Sequence, residues 1–251
     1  MNSFNGAVIG IGGIGKWHAQ MMEATARIHV VAVCDANEAM REVAAEAFPM
    51  ASFYTSPEEM AAHADLDVVA IATPHNLHAP LAIRMLNAGV NVIVEKPMAT
   101  RYADCQAMIQ AAEKNDRFLT VFHNRRLDGF FLAAKAAMAD GLLGEVFEMN
   151  FAWSTVGHSP TWRGEKDASG GVLLDWGVHF VDYALHLTDS AVTAVSGHLY
   201  RSAKADPAQN DDHGSLRIYF ASGATANVSI SHMDAQRLYR FKLLGERGTL
   251  I

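Results

Sequence analysis

Residues 8–22 read VIGIGGIGKWHAQMM, an apolar run that breaks into glycines and resumes as a helix-forming stretch. Gly10, Gly12 and Gly15 stand in the spacing G-x-G-x-x-G, with Gly13 and Ile14 between the last two. The first glycine permits a tight turn, the second lets backbone amides approach a pyrophosphate, and the third lets a helix pack closely on its strand. An acid, Asp35, follows twenty positions after Gly15 at the end of VVAVCD. Strand, glycine turn, helix and distant carboxylate together form a dinucleotide fingerprint. Asp35 would accept hydrogen bonds from ribose hydroxyls and repel a 2′-phosphate, so the expected cofactor is NAD, with NADP second.

Working outward, apolar runs recur at Ala7–Ile11, Val30–Cys34, Val68–Ala72, Asn91–Val94 and Phe118–Phe122, separated by helix-like stretches. Runs apolar throughout, rather than alternating, predict strands covered on both faces, hence a parallel sheet with crossover helices. Ser56-Pro57-Glu58-Glu59 has the form of a capping box, and Gly89 stands where a cap should follow a helix over Pro80–Ala88. Past Phe122 the pattern changes: a helix over Gly129–Ala139 ends at Gly141, and strands are predicted at Val146–Trp153, Leu216–Phe220, Thr225–Ser231 and Tyr239–Leu244. One further helix, Gly171–Leu187, interrupts them, and Ser202–Asp212 reads as a polar loop. The predicted fold is α/β: a doubly wound parallel Rossmann sheet over residues 1–123, then an α+β domain over 124–251 with a mainly antiparallel open sheet.

The 251 residues are half hydrophobic and 19% charged, with a formal charge of -7 and scattered Lys and Arg. Nothing resembles a basic stripe for nucleic acid. No apolar run approaches the ~18 residues of a membrane span, and the start MNSFNG lacks a leader pattern, so a cytoplasmic protein is expected. Cys34 and Cys105 form no C-x-x-C pair and read as small buried hydrophobes.

Three further segments carry chemistry. Thr73-Pro74-His75-Asn76-Leu77-His78 follows the Val68–Ala72 strand, at the strand end where ligands bind in open α/β sheets. Glu95-Lys96-Pro97 ends the next strand, and a lysine there can stabilise a developing alkoxide. In GGVLLDWGVHFVD, Asp175, His179 and Asp182 occupy i, i+4 and i+7, one helix face, opposite an apolar stripe of Leu174, Val178, Val181 and Leu185. The Asp175 carboxylate can orient the His179 imidazole, making it a proton acceptor near neutral pH. No third ligand at suggestive spacing supports a metal. Trp162-Arg163 and Asn124-Arg125-Arg126 supply candidate substrate contacts: Asn124, Arg125, Trp162 and Arg163 beside Asp175 and His179.

GIGGIG, TPHNLH, EKP, NRR and GGVLLDWGVHFVD, in this order over nearly the whole chain, resemble the Gfo/Idh/MocA family of glucose-fructose oxidoreductases and inositol dehydrogenases. The resemblance implies catalytic roles for Lys96, Asp175 and His179, the histidine transferring the proton. It implies cofactor contacts from Gly10, Gly12, Gly15, Asp35, Thr73, Pro74, His78, Glu95 and Lys96, with Gly13 and Ile14 adding helix-start amides. The implied activity is oxidation of a secondary alcohol of a sugar or polyol with NAD or NADP. Lys96 and His179, about eighty positions apart, are expected to converge on the nicotinamide. The implied assembly is a homo-dimer or tetramer through the open face of the second-domain sheet.

Family members normally continue beyond the turn found here at Gly245–Ile251 with more strands and a closing helix. The second domain is therefore expected to be incomplete: a shortened gene product, a partial chain, or a member completed by a partner chain. Two rival activities accompany the dehydrogenase reading, a non-catalytic cofactor-binding sensor and an NAD-dependent glycosidase of the same family. The complete Lys, Asp and His set opposes the sensor.

Overall fold

Five apolar runs and one short further stretch of the first unit, Met1–Phe122, become β1 (Phe4–Ile9), β2 (Ile28–Cys34), β3 (Ser52–Tyr54), β4 (Val68–Ile71), β5 (Asn91–Glu95) and β6 (Leu119–Phe122). In the computed structural model, which describes residues 3–203, 206–236 and 240–251, they form one sheet in the order β3-β2-β1-β4-β5-β6. Every adjacent pair is parallel. Successive residues of β1 explain the unbroken apolar pattern: Ala7 and Ile9 pack into one buried cluster, and Val8 into another on the opposite face.

Helices α1 (Gly13–Ala24), α2 (Met40–Ala47), α3 (Pro57–His63), α4 (His78–Asn87) and α5 (Tyr102–Asn115) follow their strands. Ser56 Oγ accepts the Glu59 amide at 3.3 Å, as the capping pattern requires. Gly89, at φ +85°, turns the chain out of α4. The three-residue β3 escaped sequence detection because so short a run carries no period. β1 stops at Ile9 rather than Ile11, because Gly10 at φ +88° leaves the strand conformation.

The second unit, His123–Ile251, contains α6 (Gly129–Ala139), β7 (Val146–Ser154), α7 (Lys166–Ser169), α8 (Val178–His186), β8 (Val192–Tyr200), β9 (His213–Phe220), β10 (Thr225–Ser231), β11 (Phe241–Gly245) and β12 (Gly248–Leu250). The strand order is β12-β11-β7-β10-β9-β8, antiparallel except for the β7–β10 pair. Its core packs Phe131, Phe151, Phe180, Tyr183 and Phe241 against Val228, Ile230 and Leu243. The predicted strand over Tyr239–Leu244 begins at Phe241; Tyr239 lies outside the described residues, as do Lys204 and Ala205 of the predicted loop.

Three expectations need correction here. β8 was not anticipated: all nine of its residues are exposed, so no core-facing alternation marks it. The helix over Gly171–Leu187 is not uniform, because Leu173–Gly177 forms a wider π turn before α8 begins. That extra residue per turn shifts the face, and the buried stripe is Phe180, Tyr183, Ala184 and Leu187. Leu185, assigned to the buried side, is 46% exposed. The polar loop, finally, is anchored at its end: Asn210, Asp211 and Asp212 are buried, with Asp211 on Lys166 Nζ at 2.9 Å and Asp212 on His158 Nε2 at 2.7 Å.

The close seating of α1 on β1 depends on one missing side chain. A Cβ at Gly15 would stand 1.7 Å from the Gly10 carbonyl oxygen and 3.3 Å from Val8. Backbone cannot yield as a flexible side chain does, so Gly15→Ala is expected to destabilise the first unit by about 3 kcal/mol, the upper part of the overpacking range. Urea denaturation of the variant and the parent chain measures the difference.

Candidate functional site

In the first unit the fingerprint residues gather at the carboxyl ends of the strands. The order reverses between β1 and β4, which makes that edge a topological switch point. Gly10 leaves β1 there, packed so closely on β4 that a Cβ would stand 2.8 Å from the Ala72 carbonyl oxygen. Gly12 caps the start of α1. A Cβ at Gly12 or Gly13 would meet nothing within 4 Å, so there is open space beside the helix start. Together with exposed Ile14, that cradle fits a pyrophosphate.

Asp35 follows β2, half-buried. Its Oδ2 accepts the Ile11 amide at 2.9 Å and its Oδ1 accepts the Asn37 amide at 2.9 Å. The carboxylate thus ties the glycine turn to the end of β2, and each oxygen keeps a second lone pair for a ribose hydroxyl. Thr73 and Pro74, both half-buried, lead out of β4. Glu95 ends β5, and its Oε2 accepts the Lys96 amide at 3.1 Å. Burial pushes the Glu95 carboxyl up, but the hydrogen bond and charge of His18 with the neighbouring Lys96 hold it below the usual range.

His78 occupies a different position from the one its motif implies. It is fully buried, with Nδ1 2.7 Å from the Pro97 carbonyl oxygen and Nε2 3.1 Å from that of Thr73. Burial lowers its pKa, and a neutral ring donates only one of these bonds, the shorter to Pro97. With no exposed surface, the ring cannot touch a nucleotide; it joins the Thr73 and Pro97 segments instead.

The second unit builds its polar cluster on the π turn and α8. His179 is buried, 3% exposed, and its ring lies 5.7 Å from Trp176 and 6.0 Å from His123. Asp175 sits on the π turn with Arg163 Nε 3.8 Å away. Asp182 belongs to another partnership: Arg126 binds it at 2.6 and 2.8 Å through two nitrogens, with His123 at 3.7 Å. The predicted single acid–imidazole–acid stripe is therefore divided, one carboxylate facing Arg163 and the other Arg126.

Arg125 lies 4.4 Å from the Trp176 ring centre, and Arg163 4.4 Å from that of Trp162. Asn124 is exposed on the same turn as Arg125. Several neighbours of Asp175 and His179 were not anticipated. Trp176 stacks on Trp153 at 3.9 Å, and Arg240 lies 4.5 Å from the Trp153 ring. His158 and His232 stand 4.8 Å apart, with Thr155 Oγ1 2.9 Å from His232 Nδ1. Trp176 lay inside the quoted motif; Trp153 comes from β7 and the others from segments flanking the strands, and they carried no spacing signal. Burial, then the charge of His158, lowers the His232 pKa despite the opposing carboxylates Asp175 and Asp212. Among the described residues, no group of three or more His, Cys, Asp or Glu is arranged to hold a metal ion.

Asp182 supplies a pH test. Burial pushes its carboxyl up, but the Arg126 hydrogen bonds and the charges of His123, Arg126 and His186 hold it below the ordinary 3.8. A depressed folded pKa means a contribution present above the unfolded pKa and lost as pH falls through the folded value. Asp182→Asn is expected to cost about 1 kcal/mol at pH 7, kept low because Arg126 is partly exposed, and to cost progressively less as pH is lowered below the ordinary carboxylate range. Urea midpoints across that pH range check this.

Two family models cover the chain. One, described as "Oxidoreductase family, NAD-binding Rossmann fold", matches residues 4–123, and one described as "GFO/IDH/MocA C-terminal domain" matches residues 131–251. An inositol 2-dehydrogenase of Rhizobium meliloti is 34% identical over 247 residues, 97% of this chain and 73% of the relative. A solved NAD-binding protein from Listeria innocua superposes with TM-score 0.90 at 33% identity, over 99% of this chain and 72% of that one. The WlbA dehydrogenase from Bordetella pertussis, solved with NADH and UDP-GlcNAcA, gives TM-score 0.87 at 26% identity, over 99% and 73%. The chain spans only 41 to 58% of the length of the four curated relatives it first matches.

Proposed function

The chain belongs to the Gfo/Idh/MocA oxidoreductase family, and from that premise we propose that it transfers hydride between a nicotinamide cofactor and a secondary alcohol of a sugar or polyol. The observation that carries this reading is the open glycine cradle with Asp35 and Lys96 on the same strand-end edge of the first unit. NAD, when bound, supplies the hydride acceptor. Gly12, Gly13, Ile14 and Gly15 would hold its pyrophosphate and Asp35 its ribose hydroxyls, and the carboxylate would oppose a 2′-phosphate.

The remaining chemistry falls to the chain's own groups. Lys96 hydrogen-bonds the substrate oxygen and stabilises its negative charge as the C–H bond breaks. His179 accepts the hydroxyl proton, and Asp175 orients the imidazole and favours its protonated form. The cations Arg125 and Arg163, with Trp162 and Asn124, contact the rest of the substrate; the aromatic faces suit sugar C–H surfaces. Relatives named as inositol and levoglucosan dehydrogenases support the substrate class. Self-association through the second-unit sheet is part of the same proposal, supported by the exposed Val195 and Leu199 on β8. No described helix is long and apolar enough to cross a membrane.

The test is a panel of polyols, sugars and sugar acids with NAD and NADP, read as absorbance of reduced nicotinamide. Net NADH formation is expected with at least one member. Lys96→Ala and His179→Ala are each expected to lower kcat by about 10²–10⁴-fold, with NAD affinity unchanged in His179→Ala. Full turnover by either variant contradicts the assignment, and product without net NADH indicates the glycosidase.

A further inference from the structure

α1 turns a titratable side chain inward one turn after the glycine loop. His18 is 6% exposed at its side chain and reaches across to β5, where its Nε2 lies 2.9 Å from Glu95 Oε1. A carboxylate only accepts, so Nε2–H donates. Trp17 and Phe122 pack edge-on against the imidazole, with ring centres 5.3 and 4.6 Å away, and hold it in place. The other Glu95 oxygen accepts the Lys96 amide at 3.1 Å. One carboxylate is thus fixed at both oxygens, by a helix on one side and by the backbone of Lys96 on the other. On the far side of Lys96, His78 grips the Pro97 carbonyl at 2.7 Å.

We infer that His18 is a positioning residue for Lys96, acting through Glu95 to fix the backbone from which the lysine side chain extends. The inference rests on the proposed role of Lys96. Its physical ground is the cost of the arrangement. A buried carboxylate and imidazole pair adds little net stability over well-packed apolar groups, so the pair is explained better by the geometry it imposes. Without His18, the Glu95 carboxylate loses the anchor that aims its second oxygen at the Lys96 amide.

The experiment compares parent, His18→Ala and His18→Gln chains in full length. Glutamine is chosen because its side-chain amide can still donate to Glu95. Amide hydrogen exchange followed by NMR reads the Lys96 N–H directly. It is expected to exchange about tenfold faster in His18→Ala, the size of one lost hydrogen bond, while Val92 and Val94 keep their protection. His18→Gln is expected to restore the parent rate. Where the parent forms NADH from a polyol of the panel, kcat falls at least about tenfold in His18→Ala with the KM for NAD unchanged. Unchanged Lys96 exchange, or equal acceleration along all of β5, overturns the inference, as does parent-like kcat in His18→Ala. A parent chain that reduces no NAD with any member contradicts the dehydrogenase reading instead, and the exchange result still decides the role of His18.

Discussion

Backbone contact between Gly15 and Gly10 is the constraint on which the rest of the first unit depends. With no Cβ between them, the first turn of α1 lies directly on the end of β1, so its free amides open at the switch point of the sheet. Asp35 then reinforces the same corner from β2 by holding the Ile11 amide. A side chain at position 15 would lift the helix and move the amides, the Asp35 contact and the His18 ring together. Stability and the capacity to bind an anion therefore share one cause.

A second constraint operates on α8. The π turn at Leu173–Gly177 rotates the segments before and after it, so that Asp175 and Asp182 meet different arginines. A regular helix would have placed both on one stripe beside His179. Insertions of this kind are frequent at functional sites, since they aim side chains that a uniform helix would bury or expose together. Here the insertion leaves His179 on the buried side with Phe180 and Tyr183, while Asp175 stays partly exposed next to Arg163.

What the sequence made legible follows from local physics. The parallel sheet could be read because the stretch of a strand buried on both faces is apolar without alternation, as Ala7–Ile9 of β1, Val30–Cys34 of β2, β4 and Val92–Val94 of β5 are. The glycine loop could be read because each glycine has its own steric reason. β8 could not: nine exposed residues give no burial signal, and its pairing with β9 is a long-range choice. The π turn was hidden because VLLDWGVHFVD satisfies helical spacing in two registers, and only packing against β10 and the core selects one. His78 misled for a related reason. Its place beside Thr73 and Pro74 indicates the strand end correctly, but a residue's position along the chain does not say whether its ring faces a ligand or the backbone. His18 was overlooked because its partner, Glu95, lies 77 positions away.

The central claim is that the glycine loop and Asp35 of the first unit form an NAD site. Calorimetric titration of the full chain with NAD and with NADP tests it most directly. The account predicts saturable one-to-one binding of NAD and affinity for NADP weaker by about tenfold or more, because the 2′-phosphate would meet the Asp35 carboxylate. Failure to bind either nucleotide, or tighter binding of NADP, would contradict it.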